Sequence, residues 1–382
     1  MTDNETKVEI HRGLKDVVFD RSPTTFIDGR AGELRYCGYS IHDLAEHSSF
    51  EETAYLLLYG ELPNQTQYDG FDGALKTARV LPEPLYDIIR TVADAHPMDV
   101  LRTGVSALAA FDDNLDDKSH HATLAKGIRL TSQVPMIAAA HHRIRHGYEP
   151  VAPDPSLGHA ANFLAMLMGE PPSAEAAGLL NMDMVLHAEH GSNASSFTAR
   201  VVTSTEANLH AAVTAAIAAL SGPAHGGAAE DVMRMAQEIG DPARAADYVK
   251  AKRRNREPVM GFGHRVYRAE DPRARHMRDG VKRLSIEMGQ PKWYEILEAV
   301  VEAMAPYARH GVNVNVDFYA GVVYYLLGIP EDVFVPIFAV GRVPGWTLQV
   351  LEQAEQNILI RPRLHYTGPE LRDYVPMAVR TC

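Results

Sequence analysis

The sequence predicts a predominantly α-helical protein. Along most of its 382 residues, apolar side chains recur at spacings of three and four, the pattern of a helix with one buried face. Residues that start and stop helices lie at the ends of these segments. Ser49, three positions before Glu52, is typical of a helix start, and Gly60 after the apolar run is typical of a helix end. The strict alternation that indicates β-strands is rare. These three observations favour helices packed on helices.

The elements follow in chain order. Residues 13–39 are rich in turn formers, and the stretch I-D-G-R-A-G-E-L within them predicts a small hairpin. The capping box at Ser49 opens a short buried helix over 54–59 that ends at Gly60. Helical spacing predicts further helices at 84–96, 98–111, 121–147 and 157–168. Residues 208–220 are alanine-rich and small or apolar on nearly every face, which predicts a helix enclosed on all sides and able to lie in a subunit interface.

Length and composition bound the class of protein. A chain of this length predicts about two domains. No apolar run reaches the roughly 18 residues of a membrane span, and the polar N-terminus lacks a signal-peptide core, so the expected location is the cytoplasm. Cys37 and Cys382 are far apart, which predicts neither a disulfide framework nor a cysteine metal site. The net charge of −12 argues against nucleic acid as a partner.

A local basic run stands against this acidic background. It comprises Lys250, Lys252, Arg253, Arg254 and Arg256, with Arg265 and Arg268 further on. Such a run fits a solvated helix face and equally a site for an anionic ligand, and the residues alone leave both interpretations open.

Residues 260–275, M-G-F-G-H-R-V-Y-R-A-E-D-P-R-A-R, are the stretch that most strongly indicates chemistry. Two glycines allow a tight turn beside His264, and an Asp-Pro-Arg turn places Arg273 further along. A neutral imidazole can donate a hydrogen bond to a carbonyl oxygen and a guanidinium can hold a carboxylate, so the pair suits a small keto acid. The alternative is a structural turn, because G-x-G here lacks the third glycine of a dinucleotide-binding motif.

Two further histidine clusters flank the alanine-rich helix. In H-A-E-H-G-S-N, His187 and His190 are three residues apart and could share a metal, although no third ligand accompanies them. In S-G-P-A-H-G-G, His225 lies between a helix that ends and one that begins, where N-terminal amides favour a neutral imidazole that can donate a hydrogen bond. A histidine that only completes a glycine turn is the alternative for His225.

Three charged residues lie beside apolar segments. Asp317 ends N-V-N-V-D just before an apolar helix, where a carboxylate is stabilised as an anion and can also act simply as a helix cap. Arg342 in A-V-G-R-V-P-G and Arg361 in L-I-R-P-R each follow apolar residues. A guanidinium drawn inward by such neighbours requires an anion.

In order, H-A-E-H-G-S-N, G-P-A-H-G-G, G-F-G-H-R-V-Y-R-A-E-D-P-R, N-V-N-V-D and I-R-P-R closely resemble the citrate synthase family, and the match runs from I-D-G-R-A-G-E-L-R-Y to Arg361. The length resembles the shorter bacterial and archaeal type, many of whose members are homodimers. The resemblance implies an all-α citrate synthase fold. A large domain of 1–227 and 329–382 and a small inserted domain of 228–328 would close over a cleft. Cys37 departs from the pattern, since many relatives carry arginine there.

The resemblance also implies roles for individual residues. His225 and Asp317 would act on acetyl-CoA, and His264 would polarise the ketone of oxaloacetate. Oxaloacetate would be held by His190, Asn193, Arg273, Arg342 and, from the other subunit, Arg361. CoA binding would involve Arg256, Pro258, Val259, Met260, Gly261, Gly263 and Arg265. Acetyl-CoA is a substrate here, and neither a cofactor nor a metal is expected.

The expected reaction condenses acetyl-CoA with oxaloacetate and water to citrate and CoA, through enolisation and hydrolysis of citryl-CoA. This is an acyl transfer of the citrate (Si)-synthase type, as in the tricarboxylic acid cycle. 2-Methylcitrate synthase, which uses propionyl-CoA, is the near alternative, because one methylene changes discrimination by only about 1–3 kcal/mol. The distant alternative is a helical metal-binding protein that uses His187, His190 and the pairs His120-His121 and His141-His142.

Overall fold

The fold is almost entirely α-helical, as the sequence predicts. A computed structural model describes residues 8–14 and 17–380, and within them sixteen α-helices and one three-stranded sheet occur. The helices are α1 Ile41–His47, α2 Phe50–Tyr59, α3 Gln65–Thr77, α4 Glu83–Thr91, α5 Pro97–Leu108, α6 His120–Arg145, α7 His159–Met168, α8 Ala174–His187, α9 Ala194–Ser204, α10 Leu209–Leu220, α11 Ala228–Ile239, α12 Ala245–Arg254, α13 Ala274–Glu287, α14 Lys292–Met304, α15 Asp317–Leu326 and α16 Phe334–Glu355. The strands are β1 Thr25–Asp28, β2 Glu33–Tyr36 and β3 Tyr39–Ser40.

Local sequence signals set the first elements. β1 and β2 form the predicted antiparallel hairpin, with Asp28 opposite Glu33. The Ser49 hydroxyl accepts a hydrogen bond from the Glu52 backbone N–H at 3.1 Å and so caps α2, which ends at Gly60 with a left-handed φ of 84°. The helix begins earlier than the predicted 54–59, because the capped first turn is already helical.

The other predicted helices are confirmed with shifted ends. The segment predicted at 84–96 is α4, and that predicted at 98–111 is α5 followed by a 3₁₀ turn over Ala109–Phe111. The segments at 121–147 and 157–168 are α6 and α7. Helix ends commonly tighten into 3₁₀ turns, which apolar spacing does not register.

α16 is the central helix of the core. It packs against α2, α6, α8, α9 and α10, and Trp346 near its middle is fully buried. It approaches α6 so closely at Gly127 that a Cβ there would lie 2.2 Å from the Thr347 side chain. The segment Glu331–Glu355 is long and apolar enough for a membrane span, with a mean hydropathy of 1.3, yet 94% of its most apolar window is buried inside the fold. Core packing therefore accounts for its apolar character.

The alanine-rich helix α10 is open on one side, so the predicted enclosure on all sides is wrong for the single chain. Val213 and Ile217 are buried against a core that includes α5, α9 and α16, whereas Ala211 and Ala218 are exposed. These two alanines lie about two helical turns apart and share one face. The alanine-rich composition of α10 indicates that a neighbouring element can pack closely on its face. It does not indicate whether that element belongs to the same chain or to another.

Helices α11 to α15 pack mainly on one another. α15 contacts α11, α13 and α14, and α14 contacts α12. At Gly321 of α15, a Cβ would lie 2.3 Å from the Ala229 carbonyl oxygen of α11. The group meets the other helices where α13 contacts α8 and α11 contacts α16. A separately moving small domain at 228–328 stays a prediction.

Cys37 lies in the turn between β2 and β3. It is a free thiol that contacts the Leu56 carbonyl oxygen at 3.4 Å, and burial raises its pKa to about 11. Cys382 lies outside the described residues. The neutral, half-buried Cys37 behaves as a small apolar side chain in this turn.

Candidate active site

The turn that carries His264 is joined to the segment that leads into Asp317. The Gly263 N–H donates to the Asn313 carbonyl oxygen at 2.7 Å. Gly261 has a φ of 76°, and a Cβ there would lie 2.5 Å from the phenylalanine ring that follows Asp317. Both backbone conformation and space therefore require glycine. The two candidate catalytic side chains thus lie on segments that are joined directly to each other.

His264 is neutral, and the backbone fixes its tautomer. Burial, and next the positive charge of Arg273, lower the pKa of His264 to about 4. Its Nδ1 accepts hydrogen bonds from the backbone N–H groups of Val266 at 3.1 Å and Tyr267 at 3.2 Å. An imidazole nitrogen that accepts carries no proton, so the proton is on Nε2. His264 therefore presents a neutral N–H donor on its free edge.

His225 is neutral too, but with the proton on the other nitrogen. Its Nε2 accepts from the backbone N–H of Ser195 at 3.2 Å and lies 2.9 Å from the Ser195 hydroxyl. A backbone N–H can only donate, so the proton of His225 is on Nδ1. Burial, and next the charge of Arg342, lower the pKa of His225 to about 4. The neutral state expected from a helix N-terminus is thus due mainly to burial.

His190 lies against His264 and Tyr267. The rings of His190 and His264 are 5.3 Å apart in an edge-to-face arrangement, and His190 Nε2 lies 3.0 Å from the Tyr267 hydroxyl. Burial, and next the charge of Arg273, hold the pKa of His190 well below its ordinary value. The site therefore contains imidazoles that form hydrogen bonds without adding positive charge.

Arg273 and Arg342 supply the positive charge. Arg273 donates to the Asp271 carboxylate through Nε at 2.9 Å and through Nη2 at 2.7 Å, and both side chains are buried. Arg342 donates through Nε to the His187 carbonyl oxygen and stacks on Phe338, with 4.6 Å from its guanidinium carbon to the ring centroid. Its Nη1 is buried and makes no hydrogen bond within the described residues. A buried guanidinium with a free N–H requires an anion.

Asp317 is the first residue of α15, and its carboxyl group is partly buried. Burial raises its pKa, and the charges of His187 and Arg273 oppose that rise. Helix capping does not explain this residue, because the N-cap position of α15 is Val316 and no side chain caps the helix there. Among the described residues, the Asp317 carboxylate has no hydrogen-bond partner. It is therefore available as a base.

Most of the chain matches proteins of known family. The family model described as citrate synthase, C-terminal domain, matches residues 13–363. The citrate synthase of Haloferax volcanii is 45% identical over 378 residues, which cover 97% of this chain and 99% of that protein. The chain belongs to the citrate synthase family. The family, the all-α fold and the acyltransferase class expected from the motifs are thereby confirmed.

Solved structures and a second kind of relative agree with this family. The citrate synthase of Pyrobaculum aerophilum is 39% identical, with a TM-score of 0.92 over 97% of this chain and 95% of that one. The citrate synthase of Thermoplasma acidophilum, in a ternary complex with carboxymethyl coenzyme A and oxaloacetate, is 32% identical, with a TM-score of 0.92 over 97% and 100%. 2-Methylcitrate synthase 1 of Corynebacterium glutamicum is 40% identical over 98% of this chain and 99% of that protein.

Most of the residues expected in a citrate synthase site share one neighbourhood, in which the charges of Arg273 and Arg342 act on the others. They are His190, His225, His264, Arg273, Asp317 and Arg342. Arg361 lies elsewhere, exposed in the segment after α16. Asn193 caps α9, because its Oδ1 accepts from the Ser196 N–H at 3.1 Å and from the Ser195 hydroxyl at 2.8 Å. Direct contact of Asn193 or Arg361 with a substrate stays a prediction.

The segment expected to bind CoA is partly exposed. Arg256, Pro258 and Arg265 are exposed, Val259 is buried, Met260 packs on the core, and Gly261 and Gly263 form the turn before His264. Two of the nearby lysines are paired, Lys252 with Glu257 at 2.9 Å and Lys250 with Asp247 at 3.4 Å. The basic run is therefore a solvated surface in part, and CoA binding there stays a prediction.

Sequence reasoning missed several residues that hold the site together. Tyr267 and Asp271 lie inside the 260–275 stretch, and their spacing from His264 and Arg273 was a signal that could have revealed them. Three others come from distant parts of the chain: Ser195, Phe338 and Trp346. The Trp346 Nε1–H donates to the Ser195 hydroxyl at 3.1 Å, and the Phe338 ring lies 6.4 Å from that of His225. No local pattern in the sequence brings these three together.

The histidines of the metal-binding alternative point to different partners. His187 lies 3.1 Å from Asp183, whereas His190 contacts Tyr267. Within residues 8–14 and 17–380, no group of three or more His, Cys, Asp or Glu side chains could hold a metal ion.

Proposed function

We propose that this enzyme condenses acetyl-CoA with oxaloacetate and water to give citrate and CoA. One observation carries the proposal. His225 and His264 are neutral, and backbone N–H groups occupy one nitrogen of each ring, which leaves one N–H donor free on each. The carboxylate of Asp317 and the buried guanidinium groups of Arg273 and Arg342 add the base and the anion-binding groups that the reaction needs.

Enolisation of acetyl-CoA is the first step. A thioester methyl group is a very weak carbon acid, so a carboxylate removes its proton only if the charge developing on the thioester oxygen is stabilised at once. Asp317 takes the proton, and the Nδ1–H of His225 donates to that oxygen. Because the pKa of His225 is about 4, the ring acts as a neutral donor at pH 7.

Condensation then joins the enol carbon to the ketone carbon of oxaloacetate. The Nε2–H of His264 donates a hydrogen bond to the ketone oxygen as that oxygen gains negative charge. The proton that Asp317 removed from the methyl group ends on this oxygen, which becomes the hydroxyl of citryl-CoA and leaves Asp317 ionised again. Arg273 and Arg342 neutralise the oxaloacetate carboxylates, and His190 adds a hydrogen bond. Water hydrolyses the thioester and releases citrate and CoA. Closure of a small domain at 228–328 would exclude water during enolisation, and its reopening would admit water for hydrolysis.

The proposed active unit is a homodimer in the cytoplasm, with no cofactor beyond its substrates. Two apolar surfaces of the single chain support the dimer. One is the face of α10 with Ala211 and Ala218, and the other is the exposed segment 356–380, in which Leu364 and Leu371 are 97% and 103% exposed. A second copy would cover such surfaces and would bring Arg361 to the neighbouring site.

The test is release of free CoA thiol from acetyl-CoA and, separately, from propionyl-CoA, each with and without oxaloacetate. Oxaloacetate-dependent release with the larger kcat/KM for acetyl-CoA supports the proposal. A larger kcat/KM for propionyl-CoA would assign the chain to 2-methylcitrate synthesis instead. If neither thioester gives oxaloacetate-dependent release, both activities are excluded and only the fold remains.

A further inference from the structure

The β1–β2 hairpin is anchored in the core beside His190, and the proposed reaction gives it no role. Tyr36 of β2 is fully buried, and its hydroxyl donates to the Glu189 carbonyl oxygen at 2.7 Å. The Thr25 hydroxyl of β1 donates to the Glu189 carboxyl group at 3.2 Å. The strands are therefore attached to the residue that precedes His190.

The turn between the two strands, residues 29–32, contacts the segment that follows His264. The Gly29 carbonyl oxygen accepts a hydrogen bond from the backbone N–H of Arg268 at 2.7 Å. A Cβ on Gly29 would lie 2.3 Å from the Val266 carbonyl oxygen. The φ of Gly29 is not positive, so close approach and not backbone conformation requires glycine here. The two backbones therefore pack together with no space for a side chain between them.

The turn keeps its shape through its own hydrogen bonds. The Asp28 Oδ1 accepts from the backbone N–H groups of Arg30 at 2.8 Å and Ala31 at 2.9 Å. The Gly32 N–H donates to the Asp28 carbonyl oxygen at 2.9 Å, and a Cβ on Gly32 would lie 3.0 Å from the Glu270 carbonyl oxygen. An aspartate that binds the backbone two and three residues ahead stabilises a turn. The hairpin thus presents a preformed surface to residues 266–270.

The contacted peptide is one that holds His264. The Val266 carbonyl and the Tyr267 N–H belong to the same planar peptide unit. Gly29 packs against the carbonyl end, whereas the N–H end donates to His264 Nδ1 at 3.2 Å. The Tyr267 hydroxyl in turn lies 3.0 Å from His190 Nε2. Any displacement of this peptide therefore moves the donor that orients the His264 ring.

We propose that the β1–β2 turn positions His264 for the oxaloacetate ketone, and that Gly29 is the positioning residue that allows this contact. The inference rests on the proposed function, in which His264 polarises that ketone. A Cβ at position 29 would push the Val266 carbonyl away and turn the Tyr267 N–H from His264. The donor to acetyl-CoA should be unaffected, because His225 is bonded to Ser195 of α9.

The experiment compares the full-length wild type with Gly29→Ala in three measurements. We expect kcat to fall about tenfold to hundredfold, the effect of a misplaced catalytic group. The Kd of oxaloacetate, from calorimetry, should rise about threefold to tenfold, because one hydrogen bond to the ketone is weakened. The infrared band of the ketone carbonyl of bound oxaloacetate, labelled with ¹³C at that carbon, should move toward its frequency in free oxaloacetate. A band that coincides with that of the wild type overturns the inference, even if kcat falls.

Two further variants separate positioning from folding. Gly104→Ala makes the same substitution in α5, where the Cβ would lie 2.8 Å from the Ile137 side chain, and α5 and α6 carry no expected site residue. It should lower the urea midpoint without moving the carbonyl band, and an equal movement in Gly104→Ala and Gly29→Ala would overturn the inference.

Asp28→Ala removes the hydrogen bonds that shape the turn and adds no atom at the contact. The carbonyl band should move in the same direction as in Gly29→Ala, but by less. If Gly29→Ala does not fold, an unchanged band in Asp28→Ala overturns the inference. Failure of the proposed function is distinct, because then the wild type itself releases no thiol.

Discussion

At the scale of single residues, the chemistry depends on which ring nitrogen carries the proton. Backbone N–H groups make that choice at His225 and His264, because each occupies the nitrogen that must not donate. Backbone donors are fixed by the fold and cannot titrate. The two rings therefore keep their donor N–H groups in place over the whole range in which they are neutral.

Removal of the base is the most direct residue-scale test. We expect Asp317→Asn to lower kcat by roughly 10²–10⁴-fold, because the amide has the shape of the carboxylate but accepts no methyl proton. Oxaloacetate affinity, measured by calorimetry, should be retained, since the arginines and His264 are unchanged. Near-normal turnover in this variant would show that another group is the base.

Removal of His225, the hydrogen-bond donor to the developing enolate oxygen, should have a different kinetic effect. We expect His225→Ala to lower kcat by about 10²–10³-fold, the effect of losing one donor to a developing oxyanion. His264→Ala should in addition weaken oxaloacetate binding, which substrate titrations measure. A His225→Ala enzyme that changed only in its affinity for oxaloacetate would mean that the two histidines have exchanged roles.

At the scale of elements, the start of α9 supports the site. Asn193 caps this helix and holds the Ser195 hydroxyl, and Ser195 in turn fixes His225. Asn193→Ala should therefore cost about 1 kcal/mol of unfolding free energy and lower kcat as well, because the His225 ring loses its support. Urea unfolding and steady-state rates measure the two effects.

A second asparagine cap provides the matched control. Asn64 caps α3 through a hydrogen bond of 3.0 Å to the Gln67 N–H, on a surface helix that contributes no expected site residue. Asn64→Ala should cost a similar unfolding free energy and leave kcat unchanged. If both variants lose activity equally, the effect at Asn193 reflects general stability and not the support of His225.

How much could be predicted also differs by element. The cap at Ser49, the stop at Gly60 and the hairpin were readable, because each depends on residues within a few positions of one another. The open face of α10 was not, because coverage of a helix face depends on partners elsewhere. For the same reason the motif order indicated His225 and Asp317, whereas Ser195 and Phe338 became visible only in three dimensions.

At the scale of the whole molecule, buried histidines govern the response to acid. Burial lowers the pKa of His142, His210 and His276 to about 4 and that of His159 to about 3. In the unfolded chain these rings gain protons below about pH 6.5, so their contribution is fully favourable above that pH and is lost as pH falls toward 4. Glu189 has the opposite effect on stability: burial raises its pKa to about 7, so the folded state takes up its proton at a higher pH than the unfolded chain does. The buried histidines outnumber Glu189, so the unfolding free energy should fall as the pH is lowered from about 6.5 to 4.

His159 allows a clean test of that response. Its ring is buried 4.7 Å from that of Phe50, and its Nε2 has no hydrogen bond within the described residues. Between pH 6.5 and 4, we expect the unfolding free energy of His159→Phe to fall less steeply than that of the wild type. The two slopes should differ by up to about 1.4 kcal/mol per pH unit. Urea unfolding at one fixed protein concentration measures this slope. The exposed His47→Phe should match the wild type, and parallel curves for all three proteins would contradict the expectation.

Subunit mixing tests whether the site is shared between two chains. If Arg361 acts in the neighbouring site, a dimer of one Asp317→Asn chain and one Arg361→Ala chain regains one site that contains both native residues. Random reassociation should then restore about a quarter of wild-type activity, since about half of the dimers are mixed and each has one working site. The control mixes Asp317→Asn with Arg342→Ala. Because Arg342 is buried beside the site of its own chain, that mixture should stay inactive. Equal activities of the two mixtures would place Arg361 outside the shared site and leave the exposed segment after α16 with a purely structural role.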